Sequence, residues 1–132
     1  MEEQIIENTS GGGINAEVPE NIAKRFNWGA FFFSFIWLFW YGQVVMGIVA
    51  LLSGLLNFIP VLGPIAQLAL FIYFGIKGNE WAWQAKHYDS YDKFHEVQRK
   101  WAIAALVLFL LSIILAIVGI ILAGTAAVMM QQ

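Results

Sequence analysis

The chain has no cysteine, which excludes disulfide frameworks and thiolate metal or redox chemistry. Charge is nearly as scarce. Only 12% of the 132 residues are charged and 60% are hydrophobic, whereas about a quarter of a soluble domain is charged. A globule this small leaves much of its surface exposed and cannot bury so much apolar area. Lipid is therefore expected to cover it. The net charge of -2 does not supply the basic face of a nucleic-acid binder, so no nucleic-acid partner is expected.

The scarcity is also local. No Asp, Glu, Lys, Arg or His occurs from Phe26 to Ile76, and none from Ala102 to the end. Ion-coupled transporters and proton relays need ionisable groups within the membrane, and these runs offer only polar neutrals such as Gln43, Ser53, Asn57, Gln67, Ser112 and Thr125. Catalytic motifs are missing too. No nucleophile and base stand in a recognisable pattern, and Gly11-Gly12-Gly13 lacks the strand and helix of a phosphate-cradling loop. Neither an enzyme nor a cofactor is expected. His87, Asp89, Asp92, His95 and Glu96 are of metal-ligand type, and Asp92, His95 and Glu96 share a helix face. Without a repeated His-x-x-x-His or Glu-x-x-His pattern they are read as a solvated face, and no metal is assigned.

What is present reads as an all-α integral membrane protein. Residues 1–20 are polar, acidic and glycine-bearing, too poor in large apolar side chains to offset the entropy of ordering, and are expected to be a flexible tail without a cleavable leader. Residues 21–132 form a single membrane domain. Between Trp28 and Tyr41, nine of fourteen residues are aromatic, the composition of the headgroup level, so 28–42 is read as an interfacial or re-entrant helix that bends near Gly42. A first span is placed at 43–59. Pro60, Gly63 and Pro64 then break the run as a hairpin tip, and a second span returns over 61–77. Residues 78–100 hold most of the charge and read as amphipathic helical segments on the membrane surface, joined near His87 to Asp89, with Asp89 or Ser90 capping a helix from Tyr91. A third span is placed at 102–128. Along it Ser112, Ala116, Gly119, Ala123 and Ala127 form a narrow small-residue face of the kind that packs against another helix, so a homo-oligomer or a membrane-protein partner is admitted.

Orientation follows from the basic residues. All seven lie at Lys24–Arg25 or between Lys77 and Lys100, and both regions are expected to be cytoplasmic. That places the N-terminus inside and the C-terminus outside. The tryptophans Trp28, Trp37, Trp40, Trp81, Trp83 and Trp101, with Lys93, Arg99 and Lys100, are the candidate lipid- or partner-facing residues on that side. The expected role is a membrane scaffold or interaction protein, with an oligomeric pore or passive channel as the alternative.

Two motifs carry a likeness. With Phe26-Asn27-Trp28-Gly29-Ala30-Phe31 and Gly78-Asn79-Glu80-Trp81-Ala82-Trp83, followed by Phe94, Gln98 and Trp101, the chain resembles a class of small uncharacterised bacterial membrane proteins. These open on an Asn-Trp-(Gly/Ala)-Ala-Phe aromatic helix and carry a Gly-Asn-aromatic motif after a hydrophobic hairpin. The resemblance spans about residues 26–101. It implies a bacterial cytoplasmic membrane and brings no catalytic residue with it.

Overall fold

Capping residues and glycines set the helix boundaries in the computed structural model, which describes residues 8–132. After a short turn of helix, α1 (Glu20–Ala23), Asn27 caps α2 (Trp28–Phe33) by accepting a bond from the Ala30 N–H. Ser34, at φ 42°, kinks the chain into α3 (Phe35–Trp40). Gly42, at φ 75°, ends α3; its N–H donates to Phe39 O and that of Gln43 to Leu38 O. This paired closure needs a left-handed residue, the conformation that glycine adopts without steric cost, and it makes the bend expected near Gly42. The chain then enters α4 (Val44–Leu52), which tightens into a 3-10 segment, Ser53–Phe58.

The hairpin tip lies where the prolines place it. Val61, at φ 66° and ψ -56°, closes a γ-turn with Leu62 N–H donating to Pro60 O at 2.8 Å. Pro64 falls in the first turn of α5 (Leu62–Ala85), where its missing N–H leaves no helical bond unmade. Of the two capping candidates, Ser90 is the one that acts, accepting from the Lys93 N–H at the start of α6 (Tyr91–Met130).

Most large buried side chains gather in a cap where α2, α3, the C-terminal half of α5 and the N-terminal part of α6 meet. Trp37, Leu38, Phe74, Trp83, Phe94 and Ile22 are fully buried there, and each contributes about 1.5–3 kcal/mol by leaving water. Trp83 lies edge-on to Phe94 and stacked on Tyr88 and Tyr91. The chain from Asn8 to Ala16 closes the end of this cap. Gly11 and Gly13 N–H groups donate to Trp83 O and Gln84 O, and Trp83 Nε1 donates to Thr9 Oγ1, so the last carbonyls of α5 gain partners. In place of the loose tail expected up to residue 20, the chain is tied down from Asn8 onward; the rest of that expectation, at residues 1–7, lies outside the described residues.

Two apolar arms leave the cap on the same side. Running down α5 toward its N-terminus, Gly78 meets Asn27, Gly75 meets Phe26 and Phe71 meets Phe31. Running up α6 toward its C-terminus, Gln98 meets Asn27, Trp101 meets Phe33 and Phe109 meets Phe32. The two helices are therefore antiparallel across α2, and their apolar ends project together.

The three predicted spans are not found. Among the described residues only α6 is long and apolar enough to cross a membrane, and just 6% of its most apolar window is buried, so it is not a core helix. Its uncharged part, residues 102–130, is about 43 Å long. The hairpin is shorter. The expected span at 43–59 is the short apolar helix Val44–Phe58, and the uncharged part of α5 expected as a second span, Leu62–Ile76, is about 22 Å long, less than the roughly 30 Å hydrocarbon core. Residues 78–100 are helical on either side of the expected junction, at 86–90, but the two segments are the end of α5 and the beginning of α6, because a change from apolar to charged side chains alters the surroundings of a helix without interrupting its hydrogen bonds.

Candidate functional site

The two motifs, Phe26 to Phe31 and Gly78 to Trp83, meet in three dimensions. Asn27 Nδ2 donates to Asn79 Oδ1 at 2.7 Å and to Gln98 Oε1 at 2.8 Å, while Asn27 Oδ1 accepts from Ala30 N–H at 2.9 Å. Asn79 Nδ2 donates to the carbonyls of Ile22 and Arg25, and Gln98 Nε2 donates to the Tyr41 hydroxyl. Asn27, Asn79 and Gln98 are 3%, 4% and 9% exposed. Buried amides are tolerated only when bonded, and here one connected set ties α2, α3, α5 and α6 together. Glycines make the approach possible: a Cβ on Gly78 would lie 2.8 Å from both the Asn27 and Ala30 Cβ atoms, and one on Gly29 would lie 2.8 Å from the Trp101 Cβ.

Above this network opens a polar cleft of about 480 Å³, walled by Arg25, Phe26, Trp28, Asp92, His95, Glu96, Arg99 and Ala102 with the three amides at its floor. Its charges are unequal in availability. Glu96 is bound by Lys100 at 3.4 Å and Lys93 at 3.6 Å, and these lysines, Lys100 first, hold its carboxyl below the usual range. Arg25 and Arg99 are exposed and form no ion pair among the described residues. Partial burial, and then the positive charge of Arg25, push His95 below its ordinary value against a smaller opposing pull from Asp92. The imidazolium form is thereby disfavoured. The free positive charge of the cleft belongs to the two guanidiniums, with Asp92 opposing them.

The predicted surface residues divide. Trp28 and Trp40 stay more than half exposed, and Lys93, Arg99 and Lys100 face solvent on α6. Trp81 and Trp101 are partly buried. Trp37 and Trp83 are wholly buried, so they pack the cap and face neither lipid nor water. Lys86 lies over the rings of Trp40 and Tyr41, at 4.7 and 5.1 Å. Ser112, Ala116, Gly119, Ala123 and Ala127 are exposed on α6. His87 lies 3.9 Å from Asp89, while Asp92, His95 and Glu96 wall the cleft; among the described residues no group of three assembles as metal ligands. Burial and the nearby Tyr41 hydroxyl raise Tyr88 well above the ordinary tyrosine value.

The amide network was not singled out by composition or charge. The available signal was an amide beside or near a glycine in each motif, Asn27 with Gly29 and Gly78 with Asn79, at the two ends of the charge-free run. No family model matches the chain, and no curated protein or solved structure is significantly similar to it.

Proposed function

We propose that the chain is an integral membrane scaffold or interaction protein at the cytoplasmic face of a bacterial membrane. In this reading α6 crosses once, the hairpin dips into the near leaflet and turns back, and the cap rests at headgroup level. The observation that carries it is the pair of apolar arms on one side of a single cap. Val45, Leu55, Phe58, Leu62 and Ile65 on the hairpin, and nearly every residue of α6 beyond Ala105, have no protein cover. An uncovered patch of this extent marks a membrane or partner surface.

All seven basic residues lie within the cap or at its margin, so the cap belongs inside and the C-terminal end of α6 outside. The bacterial cytoplasmic membrane is the setting suggested by the likeness of the two motifs. There the cap would present Lys93, Arg99 and Lys100 to lipid or to a membrane partner, and the open face from Ser112 to Ala127 leaves room for a second copy. An oligomeric pore has less support, because most of the polar groups that would line it, Gln43 apart, already have partners within the chain. Gln67 bonds to Asn57 and Ser53, and Ser112 and Thr125 bond to carbonyls of their own helix.

Reconstitution tests the reading. In liposomes the full chain is expected to resist alkaline carbonate extraction and to leave an encapsulated dye inside. Release of the protein by carbonate would remove the membrane assignment, and dye leakage proportional to protein would replace the scaffold by the pore.

A further inference from the structure

Beside the polar cleft lies a second cavity. Trp28, Arg99 and Ala102 wall the cleft and also wall an apolar groove of about 420 Å³ lined further by Phe32, Leu106 and Phe109. We propose that the two neighbouring cavities together hold one anionic phospholipid, with its phosphate between Arg25 and Arg99 and one acyl chain lying along the groove to Phe109.

The inference rests on the membrane placement given above and names the ligand of that cap. Three features of the cavity fit an amphiphile. First, its charge is sorted: the polar part contains the two guanidiniums, which form no ion pair among the described residues and match phosphate geometry through two parallel N–H donors, while the apolar part has almost no polar wall besides Arg99. Glu96 does not oppose an anion, being held by Lys93 and Lys100; Asp92 does, and leaves an excess of one positive charge. Second, the length fits. From Arg99 to Phe109 along α6 is about 15 Å, half of the roughly 30 Å hydrocarbon thickness and so the depth of one leaflet. Third, Trp28 stands at the junction with its ring 52% exposed, and an indole prefers the boundary between headgroup and hydrocarbon. Basic pockets beside membrane helices on the cytoplasmic side are where anionic headgroups bind.

The test uses the delipidated full chain in detergent, offered phosphatidylglycerol or phosphatidylcholine, with native mass spectrometry reading the fraction that retains one lipid. Phosphatidylglycerol is expected to be retained at one per chain and phosphatidylcholine to be lost. Arg25→Gln with Arg99→Gln is expected to weaken retention about thirtyfold, since each basic residue near a lipid surface contributes on the order of a fewfold to tenfold. Lys24→Gln with Lys77→Gln, which removes the same charge outside the cleft, is expected to change it little. Leu106→Trp, which fills the groove without touching the charge, is expected to weaken retention as well. Equal retention of the two lipids, equal loss in the lysine control, full retention by both the arginine and Leu106 variants, or displacement by inorganic phosphate would overturn the site. A chain that inserts into phosphatidylcholine nanodiscs yet shows no preference for phosphatidylglycerol defeats this inference alone. A chain monodisperse in plain buffer defeats the membrane placement beneath it.

Discussion

Asn27→Leu is expected to destabilise the cap by about 3–7 kcal/mol. The substitution removes the cap of α2, worth about 1 kcal/mol. It also leaves two buried acceptors, Asn79 Oδ1 and Gln98 Oε1, without their donor, at about 1–3 kcal/mol each. Leucine has no N–H to offer these two carbonyl oxygens, so hydrophobic gain at a site lined by amides does not replace the lost bonds. A domain is stable by only about 5–15 kcal/mol in total, so the variant should be partly unfolded. Denaturant titration in detergent micelles, followed by tryptophan emission, measures it: Trp37 and Trp83 are wholly buried and report the cap directly. Asn57→Leu on the hairpin is the comparison, since Asn57 is exposed and its loss should be below about 1 kcal/mol. An Asn27→Leu midpoint equal to that of the parent would show that the network contributes nothing to the packing of α2 on α5 and α6.

Gly63→Val is expected to open the hairpin. A Cβ at Gly63 would sit 1.6 Å from Leu56 O and 2.6 Å from Leu56 C. These are backbone atoms, so no side-chain rotation relieves the clash. Core overpacking ordinarily costs about 1–3 kcal/mol, and at a main-chain contact the tip must separate. With it go the bonds between Gln67 and Asn57 and between Gln67 and Ser53. The native chain lacks cysteine, so spin labels can be placed without background at Leu55 and Leu68, and their separation read by pulsed electron resonance. Gly63→Val should lengthen and broaden it. Gly54→Val should not, since nothing lies within 4 Å of a Cβ there. An unchanged distance in Gly63→Val would mean that the tip does not have the tight geometry described.

These two sites differ in how far the sequence announces them. The tip was legible because Pro60 and Pro64 act on the backbone itself, and the bend at Gly42 and the cap at Ser90 were legible for the same local reason. The extent of the helices was not. Charge disappears at Ala102, which by pattern alone marks the edge of an element, but α6 continues through it because nothing there removes a backbone donor. The count of spans failed in a related way. The charge-free run from Phe26 to Ile76 has the length of two crossings, yet its aromatic third folds into α2 and α3 within the cap. What remains reaches only partway across a bilayer.

Residue type misled at Trp37 and Trp83. Tryptophan is common at interfaces, but these two rings fill the space between helices that meet at the Asn27 network, and only the packing reveals that. Asn27, Asn79 and Gln98 illustrate the converse. Each looks unremarkable in its own segment, and their meaning lies in long-range pairing, since Asn27 and Gln98 are 71 residues apart. The lipid cavity has the same origin: Arg25 comes from the turn before α2 and Arg99 from α6, and no local pattern joins them.

In the proposed placement the hairpin turns back within the bilayer while α6 alone crosses it. Single cysteines at Leu62, Ser90 and Gln132, probed with a membrane-impermeant maleimide in sealed vesicles of each orientation, distinguish this from a crossing hairpin. Labelling is expected at Ser90 from the cytoplasmic face only and at Gln132 from the opposite face only, with Leu62 protected from both. Labelling of Leu62 from the side that labels Gln132 would contradict it, because the hairpin would then pass through the membrane.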